Sequence, residues 1–308
     1  MSLPVQPAVL LPPWPSAQVL SFRLTSPQQG KPLLRALLSL DVGNHTVVGL
    51  GLPFVKALGG NIPGLREFPA LALAEGAPLA VSPADVWAYV GGQSAAEVYD
   101  RVCALTSQLP GGLQWVEDLA TFTWRGGRDL TGHEDGTENP AGEAALAAAL
   151  VQEGPLAGGS FGAAMQWEHD MKAFAALPPA ARDHLMGRSL HDNRELEDAP
   201  PSAHVKRAAQ ESFDPPAFML RRSMPWASAQ RAGLYFVAYG ADLDRFERVL
   251  RRMLGLDDGV VDGLLSFSRP LSGSYFWCPP AREGRLDFTG VLPAGGVDAL
   301  PDVETTGG

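Results

Sequence analysis

The pattern of apolar residues repeats one order of elements in both halves of the chain, and this repeat constrains the fold more than any other feature. In the first half, alternating apolar residues predict strands and helically spaced ones predict helices, in the order β-α-β-β-α-β. The predicted strands are 18–25, 45–51, 85–90 and 113–124, and the predicted helices are 31–40 and one starting at the capping box Ser94–Glu97. That order is typical of a ferredoxin-like domain.

The second half fits the same order. Its predicted strands are 160–167, 217–224, 233–239 and 275–277, and its predicted helices are 171–185, interrupted at Pro178-Pro179, and 242–254, which Gly255 ends. The sequence therefore predicts an α+β fold of two ferredoxin-like domains with antiparallel sheets, spanning residues 1–140 and 141–308. A polar insert at 188–216 interrupts the second domain, and long inserts in compact domains are usually functional.

Composition narrows the partners and the compartment. Lys and Arg number 24 against 34 Asp and Glu, and no run of basic residues could neutralise a row of phosphates, so no nucleic-acid partner is expected. No apolar stretch approaches the ~18 residues of a membrane span. The first basic residue is Arg23, which does not fit a secretory signal, so we expect a cytoplasmic location. Cys103 and Cys278 are too few for an iron–sulfur cluster, and without Cys-x-x-Cys-His any haem would be bound non-covalently.

The loop that follows the fourth predicted strand is unusually rich in Gly and carboxylates. It reads Gly-His-Glu-Asp-Gly-Thr-Glu-Asn-Pro over residues 132–140. Composition alone favours a solvated turn, and its carboxylate spacing does not match the twelve-residue calcium loop of an EF-hand. The functional interpretation is that Gly132 and Gly136 let the backbone turn tightly and bring the Asp135 carboxylate against a bound group.

One of the six histidines stands out by its context. Most histidines in globular proteins are surface residues or hydrogen-bonded core residues, and only a minority bind metal. His204 lies in the polar insert, after the rigid Pro200-Pro201 pair and beside the small Ala203. A haem ligand needs one accessible, rigidly held imidazole, which this context provides. No His-x-x-x-His or His-Glu-x-x-His occurs, so the sequence gives no support for a zinc hydrolase.

Two adjacent arginines, Arg221 and Arg222, lie in an apolar strand-like run. Neighbouring side chains of a strand point to opposite faces, so one arginine should face solvent and the other the interior. An inward arginine is costly unless it meets an anion. Either a structural ion pair or a functional role would meet that need.

Taken in order, four segments resemble the dye-decolorising peroxidases over essentially the whole chain. They are Gly132-x-x-Asp135-Gly136 with Thr137-x-Asn139-Pro140, then His204, then Arg221-x-Ser223-Met224-Pro225, and finally 262–267 running to 273–277. The resemblance implies a dimeric α/β-barrel-like duplication with haem b in the second domain. It implies a peroxidase that reduces hydrogen peroxide and oxidises small organic donors, such as dyes or phenols, in single-electron steps.

The resemblance also assigns roles to particular residues. It makes His204 the proximal iron ligand and Asp262 the acidic partner of its imidazole. Asp135 and Arg221 become the distal catalytic pair, joined by Ser223, which occupies a position that holds Asn in some relatives. Arg188 is similar to a residue that pairs with a haem propionate. Thr137 and Glu138, which follow Asp135 in the loop, are assigned with Arg188 to cofactor binding.

Two other functions remain open at this point. One is a haem carrier or iron-releasing protein that keeps His204 without peroxidase turnover, although a carrier has no need of Asp135 and Arg221. The other is a ferredoxin-like protein without haem. Relatives often self-associate, so a homo-oligomer is also expected. The sequence does not choose which of the seven tryptophans and five tyrosines, if any, passes electrons to the haem.

Overall fold

The computed structural model describes residues 3–72, 78–292 and 296–300. Its strands are β1 Ser16–Arg23, β2 Thr46–Leu50, β3 Val86–Gly92, β4 Gln114–Phe122, β5 Ser160–His169, β6 Leu220–Arg221, β7 Met224–Ala227, β8 Ala232–Gly240, β9 Ser268–Pro270, β10 Ser274–Cys278, β11 Ala281–Arg282 and β12 Arg285–Leu286. Its α-helices are α1 Pro7–Leu10, α2 Gly30–Ser39, α3 Leu52–Ala57, α4 Ala95–Gln108, α5 Gly142–Ala149, α6 Met171–Ala176, α7 Pro179–Met186, α8 His204–Arg207 and α9 Asp244–Met253. Among the described helices, none is both long and apolar enough to cross a membrane.

One large antiparallel sheet contains both halves of the chain. Its strand order is β4-β1-β3-β2-β10-β5-β8-β6, with β7 also paired to β8 and β9 to β5. The first four strands have the ferredoxin-like order 4-1-3-2, and β10-β5-β8-β6 repeats that order in the second half. The halves join where Leu50 of β2 pairs with Trp277 of β10. The predicted α+β class of two ferredoxin-like units is therefore confirmed, whereas the boundary at residue 140 stays a prediction.

The sheet curves until its two ends meet, because β4 packs against β7. Its concave face holds a core of large side chains, which includes Val19, Trp87, Tyr89, Tyr235, Tyr239 and Phe276. Its convex face packs on the helices through a second core, which includes Leu33, Leu34, Leu37, Phe246 and Leu250. Because alternate residues of a strand point to opposite faces, β8 contributes to both layers.

Three predicted segments bear on the site. The helix predicted at 171–185 is interrupted at Pro178-Pro179, as expected, and forms α6 and α7, because Pro178 is extended and Pro179 begins α7. The predicted strand 217–224 forms the short strands β6 and β7. The insert 188–216 contains a short helix, α8, whose first residue is His204.

Candidate active site

An apolar cavity, the main cavity, lies between the convex face of the sheet and α9. It contains about 1360 Å³ of empty space, counting its open mouth. The sheet wall consists of Met165, Trp167, Leu234 and Phe236, and the helix wall consists of Phe246, Val249, Leu250 and Met253. Leu264, from the 3-10 turn Gly263–Ser266, also lines the cavity. Period-two spacing along β5 and β8 and helical spacing along α9 place these side chains on facing surfaces. The resulting apolar space suits a large hydrophobic ligand.

His204 lines this cavity, and the Asp262 carboxylate binds the Nδ1 atom of its imidazole. Its Nδ1 lies 2.8 Å from Oδ2 of Asp262, whose side chain is 0% exposed. The other oxygen of Asp262 accepts a hydrogen bond from the Leu264 N–H at 2.8 Å, which fixes the carboxylate. With Nδ1 donating to Asp262, Nε2 is the nitrogen left to bind a ligand, and the described residues give it no hydrogen-bond partner.

The surroundings of His204 make its ring more basic. Burial alone would lower the pKa of the imidazole, but the Asp262 carboxylate outweighs burial, so the pKa lies above its usual value. A carboxylate behind a ligating histidine fixes the ring orientation and strengthens the other nitrogen as a donor to a metal. This arrangement of His204 and Asp262 would suit a metal ligand and its support.

Asp135 reaches the cavity from the loop that follows β4. Gly132 and Gly136 on either side of it have φ of 93° and 71°, a conformation that favours glycine, as the sequence predicted. Asn139 ties the loop to β6, because its Oδ1 accepts from the Arg221 N–H at 2.8 Å and its Nδ2 donates to the Arg221 carbonyl at 3.1 Å. Asp135 and Arg221 are thereby held in the wall of one cavity.

The acidity of Asp135 reflects its place in the cavity wall. Asp135 is an exposed residue, and it lines both the main cavity and a second one. Burial raises the pKa of this carboxyl; Arg221 opposes the rise and Asp129 adds to it. A carboxyl with a raised pKa beside a permanent cation is suited to accepting and returning a proton.

The two adjacent arginines have different environments. Arg221 lines the main cavity, and its Nε is buried with no hydrogen-bond partner among the described residues. Strand alternation predicted that one of the two arginines faces solvent. Arg222 is instead half-buried, and its Nε and Nη2 donate to the carbonyls of Leu11 and Leu10 at 2.5 and 2.9 Å. Arg221 is therefore the arginine available to a ligand in the main cavity.

Ser223 lies outside the main cavity. It lines the second cavity, whose wall also includes Asp135 and Arg221, and its Oγ is buried without a partner in the described chain. If Ser223 has a role, it acts from the second cavity, which shares Asp135 and Arg221 with the main cavity.

The residues predicted to bind a cofactor cluster at one side of the main cavity. Arg188 donates from Nη2 to Glu138 Oε1 at 2.6 Å and from Nη1 to the Asn193 carbonyl at 3.0 Å. Asn193 Nδ2 in turn donates to Thr137 Oγ1 at 3.1 Å. Arg188, Thr137 and Glu138 all line the cavity, so this cluster could contact an anionic group of a ligand there.

Sequence reasoning missed two further histidine–aspartate pairs beside the cavity. Nε2 of His169 lies 3.3 Å from Asp129 Oδ2, and Nε2 of His133 lies 3.1 Å from Asp183 Oδ1. The partners are 40 and 50 residues apart in sequence, so no local motif reveals either pair. Strand alternation was the available signal for His169, which shares a face of β5 with Trp167.

A family model described as "Dyp-type peroxidase, C-terminal" matches residues 126–283, which include His204, Asp262, Asp135, Arg221 and Ser223. This chain belongs to the Dyp-type peroxidase family. The family that the four sequence segments indicated is thus confirmed.

Individual family members agree with this assignment. A dye-decolorizing peroxidase of Mycolicibacterium paratuberculosis is 30% identical over 228 residues, which are 71% of this chain and 64% of that protein. Among solved structures, a dye-decolorizing protein from V. cholerae is 27% identical with a TM-score of 0.78, covering 90% of this chain and 97% of that one. A DypB variant of Rhodococcus jostii RHA1 in complex with heme is 26% identical with a TM-score of 0.79, covering 89% and 95%.

Proposed function

We propose that this chain is a haem-dependent peroxidase that reduces hydrogen peroxide and oxidises organic donors, such as dyes or phenols, by single-electron steps. The observation that carries the proposal is that two separate functional groups line one cavity. His204 with Asp262 enters beside α9, and Asp135 with Arg221 lies in the loop-and-strand wall. Ligand binding on one side and acid–base chemistry on the other are the two requirements of a peroxidase.

The residues present fit non-covalent haem b. The Nε of Arg221 is buried without a hydrogen-bond partner in the described chain, and His204 lines the same apolar cavity. Buried polar atoms without partners are rare in folded proteins, so a group that pairs with them is expected there. His204 would bind the iron, and Arg188 would contact a propionate in competition with Glu138. When bound, haem supplies the iron at which peroxide is reduced.

The chain's own residues move the proton and stabilise the charge. Ionised Asp135 accepts a proton from one oxygen of hydrogen peroxide and returns it to the departing oxygen. Arg221 stays protonated and stabilises the negative charge that develops as the O–O bond stretches. Asp262 accepts the Nδ1 proton of His204 and makes the ring a stronger ligand. A haem carrier would require His204 but not the Asp135 carboxylate and the half-buried Arg221 in the wall of the same cavity.

Haem reconstitution tests this proposal. Wild-type protein mixed with haem is expected to develop a Soret band and to oxidise a phenolic donor only when peroxide is present. His204→Ala should lose or weaken haem binding, whereas the exposed His184→Ala should bind haem like wild type. A wild-type protein that acquires no Soret band would overturn the proposal. The cytoplasmic location and the homo-oligomer stay predictions.

A further inference from the structure

The helix that carries His204 is too short to be stable alone. α8 is a single turn of four residues, His204–Arg207, and its N-cap residue Ala203 provides no side-chain hydrogen bond. An isolated helix needs roughly 12–15 residues to form in water. The direction of the His204 imidazole therefore depends on the contacts that hold α8 in place.

Both ends of α8 are bound to the segment that follows α9. At the first residue, His204 Nδ1 lies 2.8 Å from Oδ2 of Asp262. At the last residue, Arg207 donates from Nη1 and Nη2 to the two carboxylate oxygens of Asp258, each at 2.7 Å. Residues three apart in a helix share a face, so both contacts are made by the same side of α8. Together they fix the rotation of α8 about its axis.

Arg252 of α9 reinforces the contact at the end of α8. Its Nε donates to the Arg207 carbonyl and its Nη2 to the Ala209 carbonyl, both at 2.7 Å. In return, Arg207 Nη2 donates to the Arg252 carbonyl. The last carbonyls of a helix have no partner within the helix, and Arg252 provides one here. We call Arg207, Arg252 and Asp258 the arginine clasp.

The arginine clasp is more enclosed than an ordinary surface ion pair. Arg207 is 5% exposed, whereas the side chains of the neighbouring Arg251–Asp257 pair are 41% and 42% exposed. A contact to both oxygens of a carboxylate fixes the orientation of the guanidinium as well as its position. The hydrogen bonds from Arg207 lower the pKa of Asp258 to about 2, so the pair stays ionised at neutral pH.

We propose that the arginine clasp positions His204, so that Nε2 of its imidazole is aimed at the haem iron. This inference rests on the proposed peroxidase function, in which His204 is the iron ligand. None of the three clasp residues lines the main cavity, so they act through α8 and not on the haem itself. The Asp262 contact holds the first residue of α8, and the clasp holds the last. A ligand held in one orientation loses little conformational freedom when it binds.

The bond between His204 and iron reports on the clasp. Haem-loaded protein is reduced, and its iron–histidine stretching band is recorded by resonance Raman spectroscopy. In Arg207→Met we expect the band to broaden and move to lower frequency, because a misdirected imidazole binds iron more weakly. Transfer of haem to a competing haem-binding protein should become about tenfold faster. A band identical to that of wild type would overturn the proposal at any transfer rate, since a purely stabilising residue would leave the band unchanged.

Arg251→Met is the matched control. Arg251 precedes Arg252 on α9 and contacts Asp257 at 2.9 Å, so this variant loses an exposed arginine–aspartate pair close to the clasp. We expect its band and its haem transfer to equal those of wild type. A shift as large as that of Arg207→Met would contradict a specific role of the clasp.

Two further variants test the contact between Arg207 and Asp258. Arg207→Lys keeps the charge but not the planar, two-point contact, so its band should lie between those of wild type and Arg207→Met. Asp258→Ala should move the band as Arg207→Met does, and the double variant should move it no further. A shift in the double variant equal to the sum of the two single shifts would contradict positioning through this contact.

The haem-free protein separates failure of this inference from failure of the proposed function. If wild-type protein acquires no Soret band, the proposed function fails, and the clasp is then tested by proton nuclear magnetic resonance. The Nδ1 proton of His204, bound to buried Asp262, should give a downfield resonance that Asp262→Ala removes. We expect Arg207→Met to shift or broaden this resonance and Arg251→Met to preserve it. An unchanged resonance in Arg207→Met would show that the clasp does not position His204.

Discussion

Replacing Asp262 with Asn tests the support of the proposed iron ligand. Asn can still accept from the Leu264 N–H, but it then presents an NH₂ group to Nδ1 of His204, which donated to the carboxylate at 2.8 Å. A buried N–H left without an acceptor costs about 1–3 kcal/mol. Loss of the partner of a ligating histidine typically weakens metal binding about 10–100-fold, which corresponds to about 1.4–2.7 kcal/mol. The two arguments agree on the size of the effect.

The assay is transfer of haem from the reconstituted protein to an excess of a competing haem-binding protein, followed through the Soret band. Asp262→Asn should release haem about 10–100-fold more readily than wild type. The matched control is Asp257→Asn, five positions earlier, where the carboxylate is 42% exposed and pairs with half-exposed Arg251. Haem retention equal to that of wild type in Asp262→Asn would refute the assignment of His204 as a ligand supported by Asp262.

Two further predictions concern other residues of the site, and a third concerns the buried Arg207 at the end of α8. Burial raises the pKa of Asp135, so the rate of the peroxide reaction should fall as the pH drops through that raised pKa. Asp135→Asn should abolish this pH dependence. If the variant loses activity at low pH in the same way as wild type, the proton-transfer role is contradicted. Arg188→Met should lower haem affinity about tenfold in a haem titration, since a charge-assisted hydrogen bond is lost, and unchanged affinity would exclude contact with a propionate. Arg207→Met should lower the free energy of unfolding in urea by about 1–3 kcal/mol, because this buried arginine contacts both oxygens of Asp258 at 2.7 Å; an unchanged midpoint would show that the pair contributes nothing.

The fold was largely predictable because its signals are local. Alternation along β8 and helical spacing along α9 appear within single segments, and the repeat of these segments gave the two ferredoxin-like units. The capping box was predicted at Ser94, and Ser94 does accept from the Glu97 N–H, but the Glu97 carboxylate binds the Gln93 N–H instead of closing the box. Details of this kind depend on side-chain geometry that spacing alone does not determine.

The site was less predictable because its partners are far apart in sequence. His204 and Asp262 are 58 residues apart, and only the family resemblance connected them. Arg207 and Asp258 are 51 residues apart and meet because α8 packs against α9 and the turn that follows it, which no local pattern indicates. Which of the two arginines lines the cavity was likewise decided by the resemblance, since alternation requires only that the two differ.

The central claim is that Arg221 and Asp135 act on peroxide opposite a haem held by His204. Stopped-flow mixing of the haem-loaded protein with hydrogen peroxide tests it most directly, through the rate at which the Soret band changes. We expect a rapid change whose rate rises linearly with peroxide in wild type and in Arg222→Leu, and a rate lower by about 100- to 1000-fold in Arg221→Leu. A rate in Arg221→Leu equal to that of wild type, with haem retained, would contradict the account.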